Sequence, residues 1–105
     1  MKRQEVASFY KDLSSYAGKT VTVCGWGRSI RDSKTLGFID LNDGTSFKGV
    51  QIVFEDGKID NFKEIASQNV GAALRVTGTL LATPEAKQPF EIHASEIVVE
   101  GASTP

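Results

Sequence analysis

Metal and disulfide chemistry have almost nothing to work with in this sequence, which contains one cysteine, Cys24, and one histidine, His93, in 105 residues. A structural zinc site needs four protein ligands and a disulfide needs two thiols, so both are excluded within the chain. No run of about 18 apolar residues occurs, which removes a membrane-spanning helix. The start, Met1-Lys2-Arg3-Gln4-Glu5, is charged, but no apolar stretch follows it to make a secretory signal. A glycine-rich phosphate loop of the Walker or Rossmann type is missing. Asp40, Asp43, Asp56 and Asp60 are scattered over predicted strand, turn and loop rather than paired for acid–base work. These absences describe a cytoplasmic chain whose own residues need no cofactor.

A large charge of one sign is also lacking. The formal net charge is −1, which is not the signature of a strongly basic nucleic-acid binder. Its distribution is uneven, however. Residues 1–51 hold eight Lys/Arg against five Asp/Glu, and residues 52–105 hold four against eight. Arg28, Arg31 and Lys34 fall within one seven-residue segment beside a single acid, Asp32. Such a cluster is read either as a solvated face or as a phosphate-contacting patch.

What is present is ordinary globular material: 40% hydrophobic and 24% charged residues. The length suits one domain, able to bury roughly two-thirds of its unfolded surface. Val6, Phe9, Tyr10 and Leu13 follow the i, i+3, i+4, i+7 spacing of one amphipathic helix ending before Gly18. Thr20–Cys24 alternates polar and apolar residues and opens a first strand, in which Gly25 and Gly27 flank Trp26 and predict a bulge or bend. Leu36–Leu41 predicts a second strand, Asn42-Asp43-Gly44 a turn, and Gly49–Phe54 a third strand. Ile59, Phe62, Ile65 and Ala66 suit a short helix from about Asn61 to Gln68. Ala73–Leu81 predicts a fourth strand, Thr83–Pro89 a polar loop, and Phe90 onward to about Val99 a fifth strand. The domain therefore covers 1–101, with 102–105 reading as the start of a linker.

Five strands with a helix between the third and fourth is the layout of an OB-fold, an all-β, partly open Greek-key barrel. An SH3-like barrel, the nearest rival, lacks that helix. Alternation assigns facing. Ile39 and Leu41 point to the core, and so do Val50, Ile52 and Phe54, and Phe90, Ile92 and Ala94. Phe38, Gln51, Val53, Glu91, His93 and Ser95 point outward. Phe38 has two readings: packing under the N-terminal helix or a loop, or a platform on which an unpaired base stacks. Gln51 carries an amide with both donor and acceptor, suited to a base edge. Trp26 beside strand glycines reads as packing, Cys24 as a small buried strand residue, and His93 as an exposed histidine.

These residues resemble a known family. Gly25-Trp26-Gly27 through Arg31-Asp32-Ser33-Lys34 is similar to the GWVxxxRDSK opening of the class IIb aminoacyl-tRNA synthetases, whose N-terminal OB-fold binds the anticodon. Phe38–Gly44 resembles their FxxLxDG strand and turn, and Val50-Gln51-Ile52-Val53 their VQxV strand. Gly78–Pro84 and Gln88–Ser95 are similar to the asparaginyl branch. The likeness runs from about Val6 to Gly101. Gly27 departs from the family's valine after the tryptophan.

The resemblance implies a tRNA anticodon loop as partner. Phe38 would stack on the central anticodon uridine, Gln51 would hydrogen-bond its edge, Arg31 would contact the loop, and Glu91 would read a flanking base. Arg28 and Lys34 would join Arg31 on phosphates. It implies an asparagine-specific ligase as parent, homodimeric through a catalytic domain that would use ATP and magnesium, with this domain monomeric by itself. No class II catalytic motif occurs in the chain, so it is either an excised domain or a free-standing homologue. Two alternatives stand beside this reading: the aspartyl or lysyl branch, and an OB-fold interaction module without RNA binding.

Overall fold

The computed structural model of the chain describes residues 3–102. Five strands, β1 (Thr20–Asp32), β2 (Leu36–Asn42), β3 (Val50–Glu55), β4 (Ala73–Ala82) and β5 (Phe90–Gly101), close into a barrel in the order β1-β2-β3-β5-β4. β3 and β5 pair in parallel, and every other neighbouring pair is antiparallel. This is the expected OB-fold, closed on itself rather than partly open. The expected linker residues 103–105 lie outside the described residues. Among the described residues no helix is long and apolar enough to cross a membrane.

β1 serves two neighbours. Thr20–Trp26 pairs with β4, and Trp26–Asp32 pairs with β2. The register shifts between Gly27 and Ser29, so Arg28 is the extra residue of a bulge. Gly25 makes the changeover possible: a side chain there would collide with the Asn42 backbone carbonyl. The bulge predicted from the glycines is thus present. Gly27, in place of the family's valine, is buried beside Ile30 and Ile39.

The core contains every residue that alternation assigned to it on β2, β3 and β5. Burying each large aliphatic or aromatic side chain contributes roughly 1.5–3 kcal/mol, so this set is the main source of stability. The short helix α3 (Phe62–Ala66) lies between β3 and β4 and buries Phe62 and Ile65, with the Phe62 ring 5.3 Å from that of Phe54. At its start, Asn61 Nδ2 donates to the Ile97 carbonyl at 2.9 Å, which ties α3 to β5.

The N-terminal helix is not continuous. It divides at Asp12 into α1 (Val6–Lys11) and α2 (Leu13–Tyr16). The hydroxyls of Ser15 and Ser14 donate to the Asp12 carboxylate at 2.5 and 3.2 Å. A short polar side chain that bonds locally competes with the helical backbone, and Asp12 leaves helical geometry at φ −149 and ψ 63. Apolar spacing is blind to this competition. The start of α1 is capped from far along the chain: Val6 N–H donates to Asp43 Oδ2 and Ala7 N–H to Thr45 Oγ1, at 2.9 and 3.0 Å. Phe9 packs edge-on against Phe90 with centroids 5.8 Å apart.

Three surface expectations are corrected. Val53 faces away from the barrel by register but is only 7% exposed, flanked by Phe38 on β2 and His93 on β5. Trp26, expected to be packed, lies over the Gly44 turn but keeps 43% of its surface exposed. Cys24 is half-buried rather than buried.

Candidate nucleic-acid interface

Strand pairing sets out two rows of outward side chains. One row runs Arg31, Phe38, Val53, His93 across β1, β2, β3 and β5. The next runs Ser29, Asp40, Gln51, Glu91 across the same four strands. The β1 bulge matters here. Without the extra residue, Arg31 and Ser29 would turn to the opposite face, since a one-residue slip reverses every side chain beyond it. Adjacent rows on one face are about 7 Å apart, two strand residues along. A planar group on Phe38 would lie one row from Gln51, within reach of its side chain.

Phe38 is half-buried and lies outside the core cluster. Its inward neighbour Gly37 leaves room for the Phe54 ring, with which any side chain at 37 would collide. The Arg31 guanidinium sits 5.4 Å from the Phe38 ring centroid, a cation–π contact that holds a positive charge at the platform.

Glu91 is the polar centre of the second row. Gln51 Nε2 donates to its Oε2 at 3.1 Å, and His93 Nε2 meets its Oε1 at 2.8 Å. Gln88, from the β4–β5 loop, brings Nε2 to 3.5 Å from the same Oε2. A carboxylate accepts only, so His93 Nε2 carries the proton in this pair.

Arg28, on the bulge, lines a groove of about 440 Å³ with Tyr10, Phe47, Lys48, Gln51 and Lys87. Sequence reading gave no site role to Phe47, Lys48, Lys87 or Gln88. Phe47 is 95% exposed in the loop between β2 and β3, outside any alternating segment, so parity assigns it no face. Tyr10 closes one side of the groove through a hydroxyl that donates to the Gly49 carbonyl at 2.8 Å. Partial burial, and then the charge of Asp40, push the Tyr10 phenol above its ordinary pKa. It stays a neutral donor at physiological pH. Lys34 is not brought to the groove. It lies in the β1–β2 turn, beside a depression lined by Asp32, Asp56 and Lys63 near α3.

Among the described residues, no group of three His, Cys, Asp or Glu side chains is placed to hold a metal. The face instead combines a half-buried aromatic ring, hydrogen-bonding side chains at Gln51 and Glu91, and cations at Arg28, Arg31, Lys48 and Lys87 beside the single carboxylate of Asp40 in the groove. These are the components of a single-stranded nucleic-acid site on a small barrel.

The class so defined is the OB-fold nucleic-acid-binding module. The tRNA anticodon family of OB-fold nucleic acid binding domains matches residues 21–100, and the chain belongs to that family. It is 54% identical over 105 residues to the asparagine–tRNA ligase of Acetivibrio thermocellus, covering all of this chain and 23% of that protein. It is 55% identical over 103 residues to the asparagine–tRNA ligase of Bacillus anthracis, covering 98% of this chain and 22% of that protein. The asparaginyl-tRNA synthetase of Pyrococcus horikoshii, solved with asparaginyl-adenylate, superposes with a TM-score of 0.84 at 19% identity, over 99% of this chain and 23% of that one. The chain thus spans less than a quarter of the length of these relatives.

Proposed function

We propose that the outer face of β1, β2, β3 and β5 binds the anticodon loop of the tRNA of an asparagine-specific ligase. The carrying observation is the pair of adjacent rows, Arg31–Phe38 and Gln51–Glu91, on one face. Phe38 stacks the central anticodon uridine, and Gln51 meets its edge. Uracil presents an N3–H donor and two carbonyl acceptors, and one amide satisfies a donor and an acceptor together. Glu91 supports this reading by lying beside Gln51 in the same row and accepting its amide hydrogen bond. Arg28 and Arg31 supply phosphate contacts, and Lys48 and Lys87 join them from the groove. Lys34 contributes to phosphates only if the RNA extends toward α3.

Activation and ligation of asparagine, with ATP and magnesium, belong in this reading to other parts of a longer, homodimeric, cytoplasmic protein. The sequence relatives support the asparaginyl branch over the aspartyl or lysyl ones.

The test is a titration of two anticodon stem-loops that differ only by uridine or cytidine at the central position. The chain is expected to prefer uridine by about 1–3 kcal/mol, the worth of one mismatched hydrogen-bonding edge. Gln51→Ala is expected to weaken the uridine loop and narrow that gap. An unchanged gap in a folded variant would move base reading away from Gln51.

A further inference from the structure

The Gln51 side chain has two ends of nearly equal size, and only hydrogen bonding distinguishes the carbonyl from the amino group. The structure places one end 3.1 Å from Glu91 Oε2. A carboxylate accepts and cannot donate, so that end is the NH₂, and the Gln51 carbonyl is the end left free of Glu91. Glu91 is itself restrained. His93 holds its Oε1 at 2.8 Å, Gln88 approaches Oε2 at 3.5 Å, and the side chain is only 18% exposed. Parallel pairing of Gln51 with Glu91 and of Val53 with His93 fixes the backbone beneath all of these groups.

We propose that Glu91, held by His93, is a positioning residue that fixes which end of Gln51 faces the base, and through it the preference for uridine over cytidine. The proposal rests on the reading above, in which Gln51 meets the edge of a pyrimidine stacked on Phe38. Uracil offers a proton at N3 and a carbonyl at C4. Cytosine offers a lone pair at N3 and an amino group at C4. The two edges are mirror images in donor and acceptor, so an amide free to turn over serves either base. An amide locked by a carboxylate serves one. Glu91 then contributes to the identity of a base without touching it, a role distinct from direct reading of a flanking base.

The experiment measures dissociation constants of four proteins: the parent chain, Glu91→Gln, Gln51→Ala and the double variant. Three stem-loops are used: uridine at the central position, cytidine at the central position, and uridine with one flanking anticodon base exchanged. Glu91→Gln keeps size and shape, and thermal unfolding verifies its fold. Its amide can face Gln51 with either end, so the lock is lost. The expected result is a fall of about tenfold in the uridine-to-cytidine ratio, carried partly by tighter binding of the cytidine loop. The flanking-base ratio is expected to stay at its parent value. In the Gln51→Ala background, Glu91→Gln should no longer alter the central ratio, since the two residues act as one unit.

If Glu91→Gln leaves the central ratio intact while Gln51→Ala collapses it, the positioning role is overturned and the base-reading role of Gln51 stands. A change confined to the flanking base also overturns it, in favour of direct reading. If Gln51→Ala itself leaves the ratio unchanged, the underlying reading fails, and Glu91 has nothing to position.

Discussion

Phe38 and Gly37 show how two neighbouring residues divide one position of a sheet between core and surface. Gly37 faces the Phe54 ring and has no room for a methyl group. Gly37→Ala should therefore destabilise the fold by about 1–3 kcal/mol, as overpacking does, read from the denaturant midpoint. Phe38→Ala should behave oppositely. Its ring lies outside the core cluster, so folding should survive while stem-loop affinity falls by about 1–3 kcal/mol per stacked base. A folded Phe38→Ala protein with parent affinity would remove the stacking role. Arg31, over the same ring, should lower the salt slope of binding by about one unit when changed to Ala.

At the scale of elements, the strands were legible and the polar interruptions were not. β-branched alternation places the five strands and the inward set on β2, β3 and β5, because burial of one face is what that alternation encodes. Gly25 and Gly27 announce the bend of β1 for a steric reason that sequence alone can state. The break at Asp12 escaped because hydroxyl-to-carboxylate bonds, not apolar spacing, decide it. Val53 and Trp26 escaped because exposure depends on what neighbours cover, whereas parity gives only direction. Phe47 escaped because loops carry no period.

The Asp12 break also has a titration signature. Hydrogen bonds from Ser15 and then Ser14 hold its carboxyl below the ordinary value of 3.8. The unfolded chain therefore takes up that proton more readily than the folded one. The stabilisation is complete above the ordinary value and is lost as pH falls through the lowered one. The stability difference between the parent and Asp12→Asn should accordingly be present near neutrality and shrink below that value, as followed by unfolding midpoints across an acid series. A difference that stayed constant with pH would mean that the carboxylate charge plays no part at the break.

For the whole molecule, a net charge of −1 conceals a cationic face. Arg28, Lys48 and Lys87 line one groove with Asp40, and Arg31 lies over Phe38 in the neighbouring row, a gathering that no stretch of sequence displays. Acidic residues are concentrated in the second half of the chain, and there Glu91 is committed to hydrogen bonds with Gln51 and His93. The opposing reading, an interaction module without RNA binding, would use another surface, such as the depression where Trp26 meets Cys24, Ala73 and Glu100. Amide chemical-shift mapping of the ¹⁵N-labelled chain with an asparagine anticodon stem-loop separates the two readings most directly. The predicted result is saturable change concentrated at Arg28, Arg31, Phe38, Gln51 and Glu91, weakening steeply with added salt as counterions are released. Shifts confined to the Trp26 surface, or none at RNA concentrations that saturate a nucleic-acid site, would contradict it.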